Sequence, residues 1–134
     1  MVKVSIEYSG ELHCVATHGP SGRSLETDAP VDNHGRGESF SPSDLVGTAL
    51  GACMATIMGI YARNHDLDLT GMKIEVSKEM TQQGPRRIER LTTEIRFPAG
   101  VEKSEALERA ALTCPVHRSL LAEIEKPVVF HYAS

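Results

Sequence analysis

The stretch SPSDLVGTALGACMATIMGIYARN, residues 41–64, decides how the rest of the chain is read. Ser41 is a favourable N-cap, Pro42 suits the first helical position, and Asp44 stands three residues after the cap, where a capping-box acid belongs. Apolar residues then recur at positions 45, 46, 49, 50, 53, 54, 57, 60 and 61, the spacing of a helix that runs to about Asn64. At a rise of ~1.5 Å per residue such a helix is roughly 35 Å long. Its middle, GTALGACMATIMG, carries small residues on several faces, which predicts burial on nearly all sides against closely approaching neighbours.

Outward from this helix the pattern changes period. Residues 2–8 and 12–16 alternate apolar with polar side chains around a Ser9-Gly10 turn signal, predicting an N-terminal hairpin with a third strand near Ser24–Thr27. The run APVDNHGRGES, residues 29–39, is polar and aperiodic and reads as a long unstructured loop, a frequent location of function. After the helix, residues 72–80 and 88–97 read as strands joined through Gln83-Gly84-Pro85. Helical spacing returns over Ser104–Thr113, a further helical piece spans Pro115 to about Glu123, and PVVFHY closes the chain as a strand. The order β-β-β-α-β-β-α-α-β, with no repeat or linker, predicts one α+β domain over residues 1–134 with a mainly antiparallel sheet.

The totals narrow the function. The chain has 134 residues, 40% hydrophobic and 24% charged, with a formal net charge of −4, so it offers no general attraction to nucleic acid or anionic lipid. The alternating N-terminus lacks the apolar run of a secretory signal, and we expect a cytoplasmic protein with neither nucleic-acid nor membrane partners. Three cysteines without a CxxC pair argue against a disulfide framework and against a zinc knuckle. Apart from Cys114 and His117, no candidate ligands are closely paired, so no metal and no organic cofactor is expected, and His13, His18, His34 and His65 read as solvated surface residues.

Two of the cysteines stand in contrasting settings. Cys114 directly precedes Pro115 in CPVHR, the N-cap or first turn of the last helix, where unsatisfied N–H groups stabilise an anion by roughly 0.3–2 kcal/mol. His117 and Arg118 are candidates to add positive charge. Cys53 lies well inside the long helix, on its expected apolar side with Val46, Ala49, Leu50, Ile57 and Ile60, beyond the reach of the helix dipole. A thiolate there needs a cation brought to it, and Arg36 or the arginines at 86, 87 and 90 are the candidates. Cys14, on a short strand, reads as structural. Local electrostatics alone therefore favours Cys114 as the activated thiol.

The two cysteine motifs, SPSDLVGTALGACMATIM and LTCPVHRSL, together resemble the OsmC/Ohr family of osmotically inducible and organic-hydroperoxide resistance proteins, and the likeness spans nearly the whole chain. The resemblance implies an OsmC-like fold, with antiparallel sheets around long central helices in an intertwined homodimer. It also implies a cysteine-based peroxidase that reduces organic hydroperoxides, in which Cys53 becomes a sulfenic acid, Cys114 resolves it as a disulfide, and a dithiol reductant, lipoyl-linked in some members, restores both thiols. One position departs from the peroxidase members: Ser43 follows Pro42 where they commonly carry a glutamate. Arg36 and Glu38 are the candidates to supply the missing charge pair. The alternative is an OsmC-like small-molecule binding or stress protein without strong peroxidase activity.

Overall fold

The N-terminal alternation forms β1 (Val4–Gly10) and β2 (His13–His18), and β3 (Ser24–Asp28) adds to the far side of β2, all antiparallel. The computed structural model describes residues 1–133, and these strands belong to the first of two compact units, Met1–Val46. The hairpin turn is not Ser9-Gly10 as the sequence suggests. β1 continues to Gly10 through an irregularity after Tyr8, and the turn is Glu11-Leu12, with φ of 57° and 58°. Two bonds hold this left-handed pair: Leu12 N–H donates to Tyr8 Oη at 3.3 Å, and the Leu12 carbonyl accepts from Ala29 N–H at 3.1 Å.

The segment 29–40 is likewise more ordered than its composition predicts. It contains a 3-10 turn at Val31–Asn33, and the Pro30 carbonyl accepts from both Asn33 and Gly35 N–H at 2.9 Å. Gly35 is required there, because a Cβ would sit 1.8 Å from the Ala29 carbonyl oxygen. Polarity and aperiodicity reveal the absence of a regular element but not this web of backbone bonds.

The long helix, α1 (Pro42–Arg63), starts as the sequence dictates. Asp44 N–H donates to Ser41 Oγ at 3.1 Å and Ser41 N–H to Asp44 Oδ2 at 2.9 Å, a reciprocal capping box. From Gly47 onward the chain forms the second unit. Its sheet has β5 (Ile88–Arg96) in the centre, β4 (Lys73–Met80) antiparallel on one side and β6 (Val128–His131) parallel on the other. The parallel pair is made possible by α2 (Glu105–Leu112) and α3 (Pro115–Ser119), which carry the chain back before β6. α3 ends four residues earlier than its sequence pattern suggests.

α1 lies against this sheet at short range. A Cβ on Gly51 would meet Val76 Cγ2 at 3.0 Å and Ile74 Cγ2 at 3.3 Å, and one on Gly47 would meet Val76 and Leu91 at 3.4 and 3.5 Å. The helix is not buried all round, as expected from its small residues, but on one face: Gly47, Leu50, Gly51, Met54, Met58 and Ala62 are buried while Ala49, Ala52, Thr56 and Ile60 are exposed. Small residues permit close approach on any face, and they do not say which face is covered. Leu50, Met54 and Met58 share full burial with Leu91, Ile95 and Leu107, which form the core of this unit.

Candidate active site

Cys114 closes the gap between α2 and α3. Its backbone is extended (φ −65°, ψ 151°), Pro115 takes the first helical position, and its own Sγ accepts the N–H of His117 at 3.4 Å, so the sulfur is the helix cap. The residue is fully buried. Burial, the largest influence, pushes its pKa above the ordinary thiol value, against the lowering effect of the His117 N–H. The Cys53 sulfur raises it further by hydrogen bond and charge, and the Val116 N–H lowers it slightly. The sequence expectation of an acidic Cys114 is therefore corrected: a short helix end offers two N–H groups, and the loss of water outweighs them.

The same interaction answers whether the two thiols meet. Cys53, half-buried at the edge of the covered face of α1, lies within hydrogen-bonding reach of Cys114. Residues from opposite ends of the second unit thus share one site, in which a Cys114 S–H can donate to the Cys53 sulfur. Both cysteines are free thiols, as is Cys14, half-buried on β2 between Tyr8 and Thr27 in register.

The expected cations are placed less directly. His117 has its pKa pushed down by burial and by the Lys126 ammonium, so near neutral pH it contributes a backbone N–H and no positive charge. Lys126 is held by the carbonyls of Ile124 at 2.8 Å and Leu121 at 3.0 Å. Arg90 is committed to two carboxylates, donating to Glu125 at 2.6 Å and Glu79 at 3.1 Å, and Arg87 donates to the Ile88 carbonyl at 2.8 Å. In the first unit Arg36 Nε stands 3.7 Å from Glu38 Oε1, both side chains being exposed, which brings the two loop candidates together as a loose surface pair. Asp44 Oδ2 accepts the Ser41 N–H at 2.9 Å in the capping box.

One polar group escaped the sequence reading altogether. His13, expected as a solvated residue, sits between Asp28 and Glu26. Finding it requires the register of β2 against β3, which pairs His13 with Asp28.

A family model for OsmC-like protein matches residues 35–126. The chain belongs to the OsmC-like protein family. A crystal structure from Psychrobacter arcticus, of a protein named for osmotic stress induction and a detoxification response, is 40% identical, with a TM-score of 0.88 over 98% of this chain and 96% of that one. An organic hydroperoxide resistance protein OsmC from Legionella pneumophila shares the fold at 15% identity, with a TM-score of 0.74 over 98% of this chain and 96% of that one. An organic hydroperoxide resistance protein from Elizabethkingia anophelis does so at 15% identity and a TM-score of 0.76, over 99% and 96%. No curated protein sequence matches. The OsmC-like fold also accounts for α1, which is apolar and long enough to cross a membrane yet lays its glycine face on the β4–β5 pair.

Proposed function

We propose that this OsmC-like protein is a thiol-dependent peroxidase acting on organic hydroperoxides, with Cys53 as the attacking thiol and Cys114 as the resolving one. The observation that carries the reading is the contact between these two free thiols; the names of the Legionella and Elizabethkingia structures support the substrate class. The Cys53 thiolate attacks a peroxide oxygen, the O–O bond breaks, and the alkoxide leaves and takes up a proton as the alcohol. Cys53 is then a sulfenic acid. Cys114 sulfur attacks the Cys53 sulfur, its S–H proton leaves with the hydroxide as water, and a Cys53–Cys114 disulfide forms. A dithiol reductant returns both thiols by exchange.

In this scheme the raised pKa of Cys114 has a use. A thiol that keeps its proton donates to the neighbouring thiolate before the peroxide arrives and supplies a proton to the leaving oxygen afterwards. The reducing state such a cycle needs favours a cytoplasmic setting. A homodimer is supported by the uncovered apolar surfaces: Val4, Ile6 and Tyr8 share one face of β1, Leu25 lies on that face through Ala16, and Ile60 is exposed on α1.

The test is stopped-flow oxidation of the reduced protein by cumene hydroperoxide, followed by mass spectrometry without reductant. Rapid loss of the Cys53 thiol and a 53–114 linkage are expected. Oxidation no faster than that of a free thiol, or a Cys53→Ser variant equal to wild type, overturns the proposal. The second reading, a binding or stress protein without strong peroxidase activity, is favoured by one observation, the Ser43 that stands where a glutamate would serve the thiol. Two unmodified thiols and a co-purified ligand are its expected signature.

A further inference from the structure

His13 on β2 has a carboxylate at each ring nitrogen. Nδ1 is 2.7 Å from Asp28 Oδ1 and Nε2 is 3.0 Å from Glu26 Oε1, both from β3, while its register partner on β1 is Gly10, which has no side chain. A neutral imidazole carries one N–H and one lone pair, so either tautomer turns a lone pair toward a carboxylate; only the imidazolium donates to both. The two acids differ in setting: Glu26 is 63% exposed and Asp28 only 4%.

Asp28 is also the anchor of the 29–40 loop. Its second oxygen accepts the N–H of Glu38 at 3.1 Å, its own N–H donates to the Phe40 carbonyl at 3.0 Å, and Arg36 acts on it through its charge. Next to it, Ser39 Oγ donates to the Glu26 carbonyl at 3.0 Å. The strand that holds the histidine therefore holds the far end of the loop that carries Arg36 and Glu38.

We propose that His13 is a proton-operated clasp for this loop: as imidazolium it balances the buried Asp28 carboxylate that ties down Glu38, and loss of its proton loosens that tie. On deprotonation the exposed Glu26 swings into water, and Asp28 keeps a hydrogen bond from a neutral Nδ1–H in place of an ion pair with the imidazolium. Opening of the loop then hydrates a carboxylate that has lost its closest cation. The direction is fixed by linkage. The bonds to Asp28 and then Glu26 raise the His13 pKa above 6.5, and the bond from His13 lowers that of Asp28 below 3.8. The tie is thus fully present below 6.5, fades as pH rises through the higher folded value, and is lost at the acid end only when Asp28 itself protonates. The inference concerns the first unit alone and stands whether or not the protein is a peroxidase.

Amide hydrogen exchange and imidazole titration by NMR on the full chain test it. His13 is expected to titrate above 6.5, with protection of the Glu38 amide, corrected for its intrinsic rate, falling about tenfold through that titration. Glu26→Gln should move the midpoint to lower pH, and His13→Gln should leave Glu38 weakly protected at every pH. Arg36→Gln should retain the step. Protection that stays flat while His13 titrates, a midpoint at or below 6.5, an unmoved midpoint in Glu26→Gln, or loss of the step in Arg36→Gln overturns the clasp. Should His13→Gln fail to fold, the Glu26→Gln midpoint decides.

Discussion

Oxidation by one equivalent of hydroperoxide should stabilise this protein markedly, and the size of the effect follows from where the two thiols lie. A Cys53–Cys114 bond closes a loop of about 60 residues, for which the chain-entropy relation gives roughly 4 kcal/mol of stabilisation through the unfolded state. Because the two thiols lie within hydrogen-bonding reach of each other, the bond should form without large backbone movement, and most of that gain should survive. With an unfolding entropy of about 2.1 cal/mol/K per residue, a chain of this length should gain on the order of 14 °C in Tm. Differential scanning calorimetry of the dithiol-reduced protein and of protein treated with stoichiometric cumene hydroperoxide measures the shift directly. Cys114→Ser should show none of it. A confirmed 53–114 linkage with unchanged Tm refutes the entropy reasoning, and an equal shift in Cys114→Ser refutes the assignment of the pair.

Further expectations follow from single sites. Cys114→Ser should leave the first oxidation of Cys53 intact but let repeated peroxide carry it to the sulfinic acid, seen by mass spectrometry; a stable wild-type-like cycle counts against resolution by Cys114. Thr93 is fully buried, and its Oγ1 is the buried side-chain polar atom without a partner among the described residues, so Thr93→Val should stabilise by about 1 kcal/mol in urea unfolding rather than destabilise. Gly47→Ala has ordinary clearance and should gain up to ~1 kcal/mol of helix propensity, whereas Gly51→Ala must displace methyls at 3.0 and 3.3 Å and should gain less or lose; the reverse order in thermal melts refutes the packing account. Tyr132 donates to Glu108 at 2.6 Å, and burial and this bond push its pKa up to about 12. The unfolded phenol releases its proton first, near 10, so stability should fall as pH rises above 10, and Tyr132→Phe should flatten that fall in pH-dependent unfolding.

What the sequence determined by itself is the part written in short-range chemistry. The Ser41-Pro42-Asp44 start of α1, the helical spacing after Ser104 that became α2, the Cys114-Pro115 start of α3 and the strand patterns of β4 and β5 are all local, and each became the element it predicts. The OsmC-like family was legible for the same reason, since its two cysteine motifs are contiguous stretches.

Tertiary structure decided what depends on partners distant in the chain. Position along a helix could not say that burial would outweigh the cap at Cys114, because the loss of water comes from side chains the local sequence does not contain. The covered face of α1 was set by the approach of Ile74, Val76 and Leu91, not by its own small residues. The placing of His13 between two carboxylates waited on the register of β2 against β3, which sets His13 opposite Asp28. Each of these is a matter of solvent removed or charge opposed across space, and only the folded chain sets those distances.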